Sequence, residues 1–296
     1  MGPETGAGDN GAVATLYVRF PLSRIPAWLL AICLVVSWCA AQEVGITARH
    51  HPWGRFQPGA WKLVRVVTET LDHEGLVMST STTETKTTLL RIEQDGVLLE
   101  VEVGIEVAGK QFDGQPQCIR QGFHGELSGP DVKIKPSVAG EVLIEDRKVS
   151  CRRQEVELSG PASRTTTSIY FSDTLPPYVL KRQSTTTDLD GKTVLGEATF
   201  EVVALDMPHK VLAETKTAAF VKTVQRHPKG TVTTLAMTAD DVPGGVVYNA
   251  SKETDKDGRI VRRSTLELVG YGLQTEEERT GLFGRKRPAR IRKSSR

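Results

Sequence analysis

Apolar and polar residues alternate at period two along most of the chain from Trp61 onward, the pattern of strands with one buried and one wet face. The clearest case follows the turn signal Gln94-Asp95-Gly96. Val97, Leu99, Val101, Val103, Ile105 and Val107 fall on one face, with Glu100, Glu102 and Glu106 on the other. Residues 61–71 alternate with both registers partly apolar, which leaves their inward face open. Residues 76–92 form a long run of Thr, Ser, Val, Met and Leu with neither Pro nor Gly. β-Branched threonine disfavours helix, so this run reads as a strand carrying hydroxyls on both faces. Thr80, Thr82, Thr83, Thr85, Thr87 and Thr88 are its candidate ligand-facing residues.

Further strands are expected over 140–158, turned at Glu145-Asp146 with Val142 and Ile144 inward, and over 165–171, 199–204, 231–237 and 262–272. Residues 212–224 (LAETKTAAFVKTV) are the one ambiguous stretch: Leu212, Thr215 and Ala219 fit a helical period loosely, while the threonines favour a strand. The predicted fold class is mainly β: antiparallel sheets built from repeated hairpins, half-barrel or sandwich-like, with at most one or two helices.

A repeat runs through this pattern. SDTLPPYVLKRQSTTTDLDGKTV, beginning at Ser172, aligns without a gap onto ADDVPGGVVYNASKETDKDGRIV, beginning at Ala239, at a constant offset of 67 residues. Asp173/Asp240, Pro176/Pro243, Asp188/Asp255 and Gly191/Gly258 are identical, and beyond the turn a one-residue slip aligns Thr199 and Glu201 with Thr265 and Glu267. Each copy reads as a proline-marked lead-in, a strand, a D-x-D-G turn and a return strand. A fainter third version, with Pro58, Gly59, Asp72 and Gly75, precedes the Thr-rich run.

The two ends set the expected compartment. Residues 1–18 are Gly-rich, 19–24 are basic (RFPLSR), and 25–41 are apolar apart from Ser37. That order describes a signal peptide cleaved after Ala40-Ala41. A membrane anchor retained at 25–41 is the alternative, although crossing a bilayer takes about 20 apolar residues. The expected divisions are 1–41 as leader and signal peptide or anchor, 42–206 as a β-rich module, 207–274 as a second hairpin module, and 275–296 as an acidic then basic tail. The chain carries a net charge of +2, yet residues 285–296 hold seven Lys/Arg and no acid, so the body is net negative. Specific nucleic-acid binding by the body is therefore not expected, while the tail could meet an anionic polymer or membrane surface. Cys118 and Cys151, the cysteines outside the leader, are expected to pair as a disulfide in an oxidising compartment, with two separate buried thiols as the other reading.

The chain carries no familiar catalytic, cofactor or metal signature. No G-x-S-x-G, phosphate loop or H-E-x-x-H occurs, and the six histidines (50, 51, 73, 124, 209 and 227) lack metal-ligand spacing. The D-x-D-G acids lack the further oxygens that a calcium loop needs, and read as turn caps. His124, in the glycine-flanked loop QGFHGE, is a polar candidate; with Asp113 it offers the hydrolase alternative. Asn249-Ala250-Ser251 matches the glycosylation triplet.

Trp53, Phe56 and Pro58 to Trp61 (W-x-x-F-x-P-G-A-W), the Val107 to Lys110 turn, the Cys118 and Cys151 pair, and the closing S-K-E-T-D-x-D-G…S-T-L-E-L-V of residues 251–269 resemble uncharacterised exported β-rich proteins of planctomycete-like bacteria. More loosely, repeated exported hairpins are similar to the half-barrels of periplasmic lipoprotein carriers, which implies an acyl-chain site in a concave sheet under a helical lid; such a lid is hard to find here. Taken together, the expectation is an exported, non-enzymatic protein of the periplasm or cell envelope, without cofactor, that binds a lipid or another envelope component. A structural or adhesion protein is the alternative.

Overall fold

The computed structural model describes residues 45–126 and 131–273. The expected leader, apolar run and charged tail lie outside the described residues. Within them the chain forms fifteen strands, all paired antiparallel in one sheet. The first three are β1 (Trp61–Leu71), β2 (Val77–Ile92) and β3 (Gly96–Val107), followed by the short β4 (Lys110–Asp113), β5 (Gln117–Gly122) and β6 (Asp131–Ile134). Next come β7 (Val138–Ile144), β8 (Arg147–Ser159), β9 (Arg164–Phe171), β10 (Val179–Thr187) and β11 (Val194–Val211). The last four are β12 (Glu214–His227), β13 (Gly230–Thr238), β14 (Val246–Asp255) and β15 (Ile260–Gly272). The spatial order is β4-β3-β2-β1-β15-β14-β13-β12-β11-β10-β9-β8-β6, with β5 paired to β3 and β7 to β8. The mainly β, hairpin-built antiparallel fold is therefore as the alternation required. The only helical element among the described residues is a 3-10 turn, Ala48–His50.

The ambiguous 212–224 stretch resolves as β12. Leu212 takes φ 55 in the turn that precedes it, and β12 then finds partners on both sides, β11 and β13. Cross-strand pairing outweighs the loose helical period, since a helix here would leave two ladders unpaired. The expected module boundary at 206/207 falls inside β11: the Asp-Met-Pro segment is a bulge, with register shifts between Val202 and Met207 and Asp206 at φ 54. An irregular strand absorbs the proline there, and the sheet continues through it.

The repeat is structural. β10–β11 and β14–β15 are equivalent hairpins: Gln183 pairs Thr199 as Ala250 pairs Thr265, and Lys181 pairs Glu201 as Tyr248 pairs Glu267. The one-residue slip is the longer first turn, in which Asp188 N–H reaches Thr193 O where Asp255 N–H reaches Arg259 O. In each D-x-D-G turn the glycine N–H donates to the aspartate carbonyl, and the carboxylate accepts backbone N–H groups: Lys192 and Thr193 on Asp188, Asp257 and Arg259 on Asp255. Asp72 does the same for Glu74 and Leu76, which makes β1–β2 a third instance. The lead-ins match too: Ser172 N–H to Tyr178 O is repeated by Ala239 N–H to Gly245 O, with φ 73 at Tyr178 and φ 72 at Gly245.

The sheet curls. Leu89, Val97 and Leu99 of β2 and β3 share one buried cluster with Val156, Ile169 and Phe171 of β8 and β9, strands far apart in the sheet order. Ile46, Trp53 and Phe123 fill the space between these limbs, so residues 45–60 act as a plug at one end. Each such fully buried side chain contributes about 1.5–3 kcal/mol. The hairpin β7–β8 turns at Glu145-Asp146, both at positive φ, and sets Val142 and Ile144 inward against Leu180, Val202 and Val221. The edge strands are β4 and β5 beside β3, and β6 and β7 beside β8; β4 and β6 are four residues each and carry charged residues, which blunts their share of the free edges.

Candidate functional site

The plug determines where a cavity can form. Thr47 N–H donates to His50 Nδ1 at 3.1 Å, so the neutral ring carries its proton on Nε2, which lies 3.0 Å from Asp173 Oδ1. Arg55 reaches the equivalent position of the other repeat, donating to Asp240 O at 3.2 Å with its guanidinium 4.6 Å over the Tyr178 ring. Gly244 N–H donates to Pro52 O. The plug thus grips both repeated lead-ins, which the sequence placed 67 residues apart.

Between them lies a cavity of about 230 Å³. His50, His51, Pro52 and Arg55 of the plug line it, together with Gln121 of β5 and Phe123 and Gly125 of the loop after it. Pro177 comes from the first lead-in and Ala239, Gly244 and Gly245 from the second, while Val179 and Arg182 of β10 and Phe200 of β11 close the wall. Most of this lining is apolar, with a few polar groups converging on it, the usual make-up of a ligand site.

Those polar groups are in unusual states. His51 is 4% exposed, and its Nδ1 accepts the Trp53 N–H at 3.3 Å, which puts the neutral ring's proton on Nε2. Burial lowers its pKa to about 4; the nearby Gln121 amide opposes the shift, and the charges of Arg182 and Arg55 reinforce it. Burial likewise lowers His50, against the pull of Asp173, and His124, against that of Glu126. Arg182 donates through Nη2 to His124 O, and burial lowers its pKa while Glu126 opposes. A Cβ at Gly125 would collide with this guanidinium, so the glycine permits the close approach. His51 Nε2, His124 Nε2, Glu126 Oε2 and Arg182 Nε are buried without a hydrogen bond of ordinary geometry, and they are the four such side-chain atoms among the described residues. Native proteins rarely leave buried polar atoms unpaired, so their gathering at one place marks it.

The candidates named from sequence fall partly here. His124 stands beside the cavity in the loop that walls it, with Glu126 and Arg182 as its charged neighbours, whereas Asp113 is exposed on β4 opposite Gly104. The threonines of β2 line no part of the cavity. Thr83, Thr85 and Thr87 alternate with Thr82 and Thr88 across the two faces, half-buried between β1 and β3, and Thr80 is exposed. Cys118 and Cys151 form no disulfide. Both are free thiols, Cys118 exposed on β5 opposite Glu100 and Cys151 half-buried on β8 opposite Gly140, each fixed by its own ladder. Asn249 lies within β14, paired to Ala236 and Leu266. Among the described residues no group of three or more His, Cys, Asp or Glu is placed to hold a metal ion.

Sequence reasoning missed His51, Arg55 and Arg182. The adjacent histidines beside Trp53 were the one available signal; Arg182 reads in sequence as an ordinary strand residue.

No protein-family model matches the chain, and no curated protein sequence matches it. Among solved structures, it is similar to a lipoprotein candidate from Parabacteroides distasonis ATCC 8503 at 14% identity and a TM-score of 0.29, covering 77% of this chain and 100% of that one. It is also similar to a candidate exported protein with a YmcC-like fold from Bacteroides fragilis NCTC 9343, at 10% identity and a TM-score of 0.28, covering 73% and 97%. Both sources are Bacteroides-group bacteria, not the planctomycete-like group of the sequence resemblance.

Proposed function

We propose that this chain is an exported, non-enzymatic protein of the cell envelope that binds an amphiphilic ligand in the cavity at the plugged end of its curled sheet. The observation that carries the reading is the cavity itself: about 230 Å³, walled by five separate segments, mostly apolar, with polar groups among the lining. An engineered apolar cavity of about 150 Å³ already accepts benzene, so the volume is sufficient for a short apolar body. The basic segment and apolar run at 19–41 support export.

The test is extraction of the protein purified under non-denaturing conditions, followed by mass spectrometry of the extract and titration with an alkyl fluorophore that brightens in apolar surroundings. A co-purifying amphiphile, or saturable fluorophore binding lost on substituting Phe123→Asp, is the expected result. An empty protein with no saturable binding refutes the reading.

A further inference from the structure

On the reading of the cavity as a ligand site, its wall carries groups that select one end of the ligand. Two guanidiniums, Arg182 and Arg55, stand in that wall. Arg182 is mostly buried and donates only to the His124 carbonyl; Arg55 donates to the carbonyls of Arg49 and Asp240. Among the described residues neither forms an ion pair: Glu126 acts on Arg182 and Asp240 on Arg55 from longer range, and Asp240, which also lines the cavity, is exposed to water that screens it. Buried charges are normally paired, so a desolvated guanidinium served by a carbonyl alone has unspent capacity for an anion.

The histidine adds direction. Because His51 Nδ1 accepts the Trp53 N–H, the group that His51 contributes is an Nε2–H donor, which has only the Gln121 amide nearby and no hydrogen bond of ordinary geometry. Arg182 Nε–H is a second unpartnered donor. Among the lining residues Phe123, Val179 and Phe200 supply an apolar surface for a body attached to the head. A cationic head would meet two guanidiniums, and a hydroxyl head could not use the charge.

We propose that the cavity takes an anionic amphiphile, with carboxylate or phosphate oxygens engaged by Arg182, Arg55 and His51 in the same wall and an apolar body against Phe123, Val179 and Phe200.

Calorimetric titration of the full-length protein with octanoate, octanol, octylamine and inorganic phosphate separates the possibilities. Octanoate is expected to bind at least tenfold tighter than octanol or octylamine. Arg182→Gln is expected to reduce octanoate to the level of octanol and leave octanol unchanged, while Arg182→Lys retains part of the preference. Arg55→Gln provides an independent arm on a half-buried side chain should Arg182→Gln fail to fold by circular dichroism. Equal binding of octanoate and octanol, or indifference to both substitutions, overturns the anionic head while leaving an amphiphile site standing. No binding by any eight-carbon probe removes the cavity reading as well. Inorganic phosphate binding as tightly as octanoate identifies a free-anion site and overturns the apolar body.

Discussion

Acidification should test the plug through a single side chain. His51 is buried, and its ring accepts a main-chain N–H on Nδ1, an arrangement that protonation destroys because both ring nitrogens then become donors. Its pKa falls from the ordinary 6.5 to about 4, chiefly through desolvation. The sign follows from proton counting. Between pH 6.5 and 4 the unfolded chain binds a proton that the folded chain refuses, so stability is full above pH 6.5, declines as pH falls, and levels off below about 4. At about 1.4 kcal/mol per pH unit the loss is roughly 3 kcal/mol, a large part of the 5–15 kcal/mol typical of a domain. His50 and His124 are also lowered, so they steepen the same limb. Carboxylates held below their ordinary values, such as Asp188 and Asp255, lose their contribution only below about pH 4, outside this window. The assay is urea unfolding at intervals from pH 7.5 to 4.5 for the wild type and for His51→Asn, which keeps an acceptor near the Trp53 N–H and removes the titrating ring. The wild-type curve should fall more steeply than the variant's. Parallel curves would refute the assignment of His51 as a desolvated neutral donor.

Two further perturbations probe packing. Trp53→Ala removes a side chain 4% exposed from the cluster that joins β2–β3 to β8–β9, and should cost about 3–5 kcal/mol in urea unfolding; a loss under about 1 kcal/mol would show that the plug is not part of the cooperative core. Gly244 and Gly258 both have positive φ (72 and 83), but a Cβ at Gly244 would lie 2.8 Å from Trp53 Cε2 whereas at Gly258 it meets nothing within 4 Å. Gly258→Ala should therefore cost only the backbone term of about 1–2 kcal/mol, and Gly244→Ala about 1–3 kcal/mol more from overpacking; equal melting-temperature losses would contradict the close approach of lead-in and plug.

Much of this architecture was open to inspection in the chain. Period-two alternation sufficed for most strands because strand geometry is local, and the D-x-D-G turns declared themselves because aspartate caps a turn and glycine accepts positive φ. Even the one-residue slip between the repeats was legible, and the register reproduces it. Local pattern could not decide 212–224, where the partners waiting on β11 and β13 settle the matter, nor the link at 206/207, where a bulge looks like a boundary. The disulfide reading failed for a related reason: cysteine count carries no distance, and ladder pairing holds Cys118 and Cys151 on separate strands.

The sequence by itself determined the strands, the turns, the duplication and the expectation of export, since each rests on composition or on neighbours a few residues away. Only the tertiary structure decided the site. His51, Phe123, Arg182 and Gly244 are scattered through the chain, and no period relates them. They meet because the sheet curls, the plug fills the gap between its limbs, and two lead-ins of one repeated unit are drawn against that plug. Burial, which turns His51 and Arg182 from ordinary polar residues into desolvated donors, exists only once those distant segments have closed over them.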